Sequence, residues 1–189
     1  MKLLRRLLLS CVAVFALTGC NPTTPFGAPI GPGGGGSGGG KVVDGWIAID
    51  RMGLSRQTFL DSDGSERSLN YGPSRVFGTA EMCQPGNAVI AGHRTTKGGP
   101  FRNINRLQIG DLVHVEPAST PGRPCTYMVV QSRILYVGDA ASNAATSADV
   151  LSQAPRYGSD TRLTLSSCTR PDGSPTSTSY RYIVELVKV

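Results

Sequence analysis

Gly86-Asn87-Ala88-Val89-Ile90-Ala91-Gly92-His93-Arg94-Thr95-Thr96, continuing after Lys97-Gly98 into Gly99-Pro100-Phe101-Arg102-Asn103, is the stretch on which the fold reading turns. Ala88 to Ala91 is a short, nearly continuous apolar run, the pattern of a strand buried on both faces. His93 leaves the end of that strand, where a rigid element delivers a side chain to the surface. Further strands are read at Trp46–Ile49, Leu112–Glu116 after the Gly110-Asp111 turn, Thr126–Val137, Thr161–Ser166 and Arg181–Val189, with a weaker one at Gln57–Leu60. Short strands spaced by Gly/Pro turns predict a barrel or sandwich. Helical pieces are expected at Phe101–Leu107, following Pro100, and at Ala144–Gln153.

The chain ahead of this domain has a different character. Met1 to Arg6 is basic and Leu7 to Leu17 is an apolar run of 11 residues, the layout of an export signal. Leu17-Thr18-Gly19-Cys20 is similar to the lipobox of bacterial lipoproteins, which makes residues 1–19 a signal peptide and Cys20 a lipidated N-terminus. The simpler alternative is an ordinary cleaved signal with a chance cysteine. Thirteen of the 20 residues from Asn21 to Gly40 are Gly or Pro and none is charged. Residues 20–41 are accordingly expected to be a lipidated, disordered tether, and 42–189 the folded domain. The expected location is the extracellular face of the bacterial membrane.

The net charge of +6 shrinks once Lys2, Arg5 and Arg6 are removed with the signal: 16 basic residues then face 13 acidic ones, a net of +3. With no Lys/Arg run interleaved with aromatics, a nucleic-acid partner is not expected. No apolar stretch reaches the roughly 18 residues of a spanning helix. Asp61-Ser62-Asp63-Gly64 resembles part of a calcium loop but lacks the closing Glu, so it reads as a polar turn, and no metal or cofactor is expected.

Cys83, Cys125 and Cys168 remain in the domain. Cys83 and Cys125 lie at loop edges beside strands. In an oxidising compartment they either pair, leaving Cys168 as a free thiol, or stay apart as two thiols whose Cα atoms are more than about 7 Å distant. Cys168 follows the strand ending at Ser166 and precedes a polar Pro/Gly loop, an accessible position. His114 sits within an alternating strand and reads as solvated. Cys168 with His93 permits nucleophilic acyl transfer: a thiolate attacks a carbonyl and an imidazolium protonates the leaving amine. The oxyanion needs a fixed donor, with Arg181 and Arg170 as candidates.

These residues carry a family resemblance. Gly72-Pro73, Gly78-Thr79-Ala80, Pro85 to Thr96 and Gly99 to Asn103 resemble the histidine region of sortases, in a form similar to class E sortases of high-GC Gram-positive bacteria. Leu107, Gly110 and Asp111 continue it. Leu163-Thr164-Leu165-Ser166-Ser167-Cys168 resembles the strand that presents the sortase cysteine, Arg181-Tyr182-Ile183-Val184 the arginine strand, and Ile47-Ala48-Ile49 with Gly53-Leu54 the opening strand. The resemblance spans Trp46 to Val189. It implies a mainly β fold, a closed eight-stranded β-barrel with short helices, and a cysteine transpeptidase with His93, Cys168 and Arg181 as its triad. Such enzymes cleave an LPXTG-like or LAXTG-like sorting signal between Thr and Gly through a thioester. The implied partners are surface proteins bearing C-terminal sorting signals, an amine on a peptidoglycan precursor or pilin, and the membrane through the lipid; a monomer is expected. Departures from the pattern are Ser166-Ser167 in place of threonines, Lys97 in place of an aromatic, a longer Cys168–Arg181 interval, and a lipid anchor where a membrane span is usual. Two other readings compete with it. An L,D-transpeptidase normally keeps its histidine and cysteine close, whereas these are 75 residues apart. A non-catalytic wall-associated lipoprotein on the same barrel is the other.

Overall fold

The computed structural model describes residues 42–61 and 68–189. The signal peptide, Cys20, the tether and Ser62 to Gly64 of the polar turn lie outside the described residues.

Eight strands close into one barrel: β1 (Val43–Ile49), β2 (Leu54–Asp61), β3 (Ser74–Arg75), β4 (Gly86–Ala91), β5 (Leu112–Pro117), β6 (Cys125–Tyr136), β7 (Thr161–Thr169) and β8 (Tyr180–Lys188). Their order around the wall is β1-β2-β3-β4-β7-β8-β6-β5, with β5 returning to β1. The pairs β2/β3 and β4/β7 are parallel and the remainder antiparallel. Closure leaves no open sheet edge. The expectation of a closed eight-stranded barrel is met.

Alternation sets the interior. In β1, Ile47 and Ile49 turn inward, while Trp46 turns out and stacks under the Arg56 guanidinium, 4.5 Å from the ring centroid. Phe59, Ala88, Ile90, Val113, Val115, Tyr127, Leu163, Leu165, Val184 and Leu186 fill the same interior. The apolar run of β4 does not alternate because both of its faces are covered. Ala88 and Ile90 point into the barrel, whereas Val89 packs outside with Ile183 and Val150. Val150 belongs to the helix α1 (Ala140–Val150), which lies against the outer wall.

The helix starts four residues earlier than expected and stops three earlier. Asp139 caps it, its carboxylate accepting from Ser142 N and Ser142 Oγ, each at 2.8 Å. At the far end, the buried Arg162 of β7 donates to the carbonyls of Ser152 and Ala154. The helix expected over Phe101–Leu107 is instead a series of turns with a single 3-10 turn at Ile104–Arg106. β3 went unread because two residues give no period, and Arg75 owes its burial to ion pairs with Asp44 and Asp61.

Cys83 and Cys125 form a disulfide with Cα atoms 5.9 Å apart. It ties the turn before β4 to the start of β6. His114 is exposed and meets Thr126 Oγ1 at 3.0 Å, as a solvated strand histidine should.

Candidate active site

β4 and β7 run parallel in a register that aligns Ala91 with Ser166. Two residues further on, the same register brings His93 alongside Cys168. Gly92 N donates to Ser166 O at 3.0 Å, and Ser167 Oγ donates to Gly92 O at 2.5 Å, so the alignment persists beyond the end of β4. Gly92 is the residue this approach requires, because a Cβ there would meet the Phe101 ring at 2.8–3.1 Å. Phe101 is fully buried and its N–H donates to His93 O at 3.0 Å, which anchors the histidine backbone from the other side.

Across the next strand, Cys168 pairs directly with Arg181, and directly opposed residues project from the same face of a sheet. A sequence interval of 13 residues between them is thus reduced to one cross-strand step. His93 and Cys168 share one cavity of about 450 Å³, lined also by Arg94, Thr95, Thr96, Thr176, Ser177 and Thr178. Five of these eight side chains are hydroxyls and Arg94 adds a cation; among the described residues the lining includes no carboxylate. Arg181 is buried behind this wall, with Nη1 donating to the carbonyls of Thr178 (2.7 Å) and Tyr180 (3.1 Å). Arg170 is exposed, and its Nε reaches only Thr176 O at 3.5 Å.

The cavity wall formed by Thr176, Ser177 and Thr178 belongs to the long Pro/Gly loop between β7 and β8. That loop is held by backbone bonds from Arg170 N to Ser174 O (2.8 Å) and Gly173 N to Arg170 O (3.0 Å). Asp172 accepts from Ser174 N and Ser174 Oγ, and these bonds hold its carboxyl below the usual carboxylate range.

Two features were not read from the sequence. Arg94 is buried and faces the cavity. Burial pushes its guanidinium below its ordinary value, opposed by Tyr182. Its signal was present in Gly92-His93-Arg94, but a charged residue beside a candidate site reads first as solvated. The second feature is the setting of Cys168. The residue is half-buried in the cavity wall that it shares with His93, where the sequence suggested an accessible loop edge. Among the described residues, no group of three or more His, Cys, Asp or Glu side chains is gathered to hold a metal ion, and no helix is long and apolar enough to cross a membrane.

The sortase domain family model matches residues 47–189. The chain belongs to the sortase family. Sortase SrtE1 of Streptomyces coelicolor is 36% identical over 103 residues, 54% of this chain. That match covers only 26% of the relative's own length. Sortase E from Streptomyces avermitilis superposes with a TM-score of 0.59 at 27% identity, covering 78% of this chain and 88% of that one. Sortase C-1 from Actinomyces oris gives a TM-score of 0.61 at 24% identity, over 77% and 71% of the two chains. The fold is therefore common to several sortase classes, and the likeness to class E rests on sequence identity. The family match leaves the L,D-transpeptidase reading without support.

Proposed function

We propose that this sortase is a cysteine transpeptidase that cleaves an LPXTG-like or LAXTG-like sorting signal between Thr and Gly. The observation that carries the reading is the meeting of His93 and Cys168 in one cavity, with Arg181 directly across from Cys168.

In the reduced enzyme the Cys168 thiolate attacks the Thr carbonyl carbon and a C–S bond forms. Arg181 donates to the oxyanion that develops, from a buried position whose backbone is fixed in the barrel wall. The C–N bond to Gly then breaks, and the leaving amine takes its proton from the His93 imidazolium. An acceptor amine, on a peptidoglycan precursor or a pilin, attacks the thioester carbonyl and gives up its proton to His93. The new C–N bond replaces the C–S bond and the thiolate returns. The hydroxyl-rich lining supports a substrate chain presenting backbone amides and small polar side chains. The sequence supports export, with a lipid on Cys20 holding the enzyme to the outer face of the membrane and residues 21–41 as tether.

Incubation of the reduced protein with LPXTG-like and LAXTG-like peptides, followed by mass spectrometry, tests the reading. An acyl adduct on Cys168, absent in Cys168→Ala, is expected. Unmodified Cys168 with every peptide, in protein whose thiol alkylates no faster than a model thiol, identifies a non-catalytic wall-associated barrel instead. Intact mass of the native protein tests the anchor: lipid on Cys20 is expected, and full release into the medium without lipid overturns it.

A further inference from the structure

His93 stands just past the last residue of β4, so the sheet alone does not hold it beside Cys168. The residues on either side of it are tied across to the residues on either side of Cys168. Before it, Gly92 O accepts from Ser167 Oγ at 2.5 Å. After it, Arg94 Nη1 donates to Thr169 Oγ1 at 3.0 Å. The same guanidinium reaches two further segments. Nη1 donates to Gly173 O at 2.9 Å, in the loop that continues into the cavity wall. Nη2 donates to Asn105 Oδ1 at 2.8 Å and to Arg102 O at 3.3 Å, with Nε on Arg102 O at 3.4 Å, in the loop that follows the histidine. These acceptors are all neutral oxygens. Arg94 is only 3% exposed, and Thr169 is fully buried. A buried guanidinium costs desolvation, and a planar fork with five donors repays it by fixing several acceptors at once.

We infer that Arg94 is a positioning residue, a three-way clasp that holds the His93 loop against the Cys168 strand and fastens both to the β7–β8 loop walling the cavity. The clasp rests on the proposed roles of His93 and Cys168. Its effect is geometric: a shift of about 1 Å in a reacting pair costs up to about 10²-fold in rate, while groups that only bind substrate elsewhere are untouched.

The test uses the full chain, purified with a reductant so that Cys168 is a thiol. Arg94→Met is expected to lower kcat for sorting-peptide cleavage by about 10- to 100-fold, with KM within about twofold. Amide exchange is expected to rise at least about fivefold in residues 93–106 and 170–178 together, while the rest of the barrel keeps its protection. Arg94→Lys keeps the charge without the fork and is expected to lose kcat as Arg94→Met does. If Arg94→Met does not fold, Thr169→Val and Asn105→Ala each remove one arm, with an expected loss of about 3- to 10-fold in kcat and faster exchange in the loop that arm held. Wild-type kcat in Arg94→Lys overturns the inference, because charge alone then suffices. So does unchanged exchange in both loops of Arg94→Met, or of both single-arm variants. Should no peptide acylate the wild-type enzyme, the transpeptidase reading fails separately, and the exchange measurements still decide whether the clasp exists.

Discussion

Arg181 and Arg170 differ in what holds them, and the proposed oxyanion role calls for the one already held in place. Arg181 is 4% exposed and cross-strand to Cys168, while Arg170 stands in solvent on a loop. A donor contributes to a transition state only when it is already in place. Arg181→Ala is expected to cost about 10²–10³ in turnover, equivalent to about 3–4 kcal/mol, in a domain that still folds. Arg170→Ala is expected to change turnover by less than about tenfold. Steady-state kinetics on both variants decides the assignment, and a larger loss in Arg170→Ala reverses it. Gly92 gives a second residue-scale prediction. In Gly92→Ala the new methyl meets the Phe101 ring, which is fully buried and has little room to give. The ring anchors the His93 backbone, so kcat should fall together with Tm, and a variant with unchanged kcat would show that the loop absorbs the methyl.

At the scale of elements, α1 is attached to the barrel by charge as well as by Val150. Arg156 Nη2 lies 2.7 Å and Arg133 Nη2 2.5 Å from the two carboxylate oxygens of Asp149, and both arginines also face the buried Glu185. Partial burial would raise the Asp149 carboxyl, but the two arginines outweigh it and hold it below the usual carboxylate range. A lowered native value means that the stabilisation is present above the unfolded carboxyl value of about 3.9 and is lost as pH falls through the native one. Melting temperature should therefore drop on acidification below about pH 4, and the drop should be shallower in Asp149→Asn. Equal acid slopes in the two proteins would mean that this cluster contributes nothing to the titration. The helix was legible from its Ala-rich composition, but its start was not. Asp139 reads as a loop residue until its carboxylate is found on Ser142 N. β4 was legible because a strand covered on both faces is apolar throughout. The turns of 101–107 misled because Pro100 and apolar spacing also suit a helix, whereas the buried Phe101 and Ile104 here serve packing against the barrel end.

For the whole molecule, the Cys83–Cys125 bridge closes a loop with a separation of 42 residues. In the chain-entropy account that contributes about 4 kcal/mol. The double variant Cys83→Ala/Cys125→Ala should lose stability of that order in denaturant unfolding while the cavity holding His93 and Cys168 is kept, since neither substituted cysteine lines it; a loss below about 1 kcal/mol would assign the bridge to strain or to a compact unfolded state. The sequence by itself determined that this domain is a β structure, because strand period and Gly/Pro turns are local properties of the chain. It also singled out His93 and Cys168 as candidates, because each falls where a strand pattern gives way to a polar loop. The order of strands around the barrel, the burial of Arg162, the cross-strand place of Arg181 beside Cys168 and the hydrogen bonds of Arg94 were decided by tertiary structure alone. The physical reason is common to them: each depends on which residue lies across a strand boundary, and a residue 13 or 75 positions away becomes a neighbour only when parallel and antiparallel pairings have fixed the register.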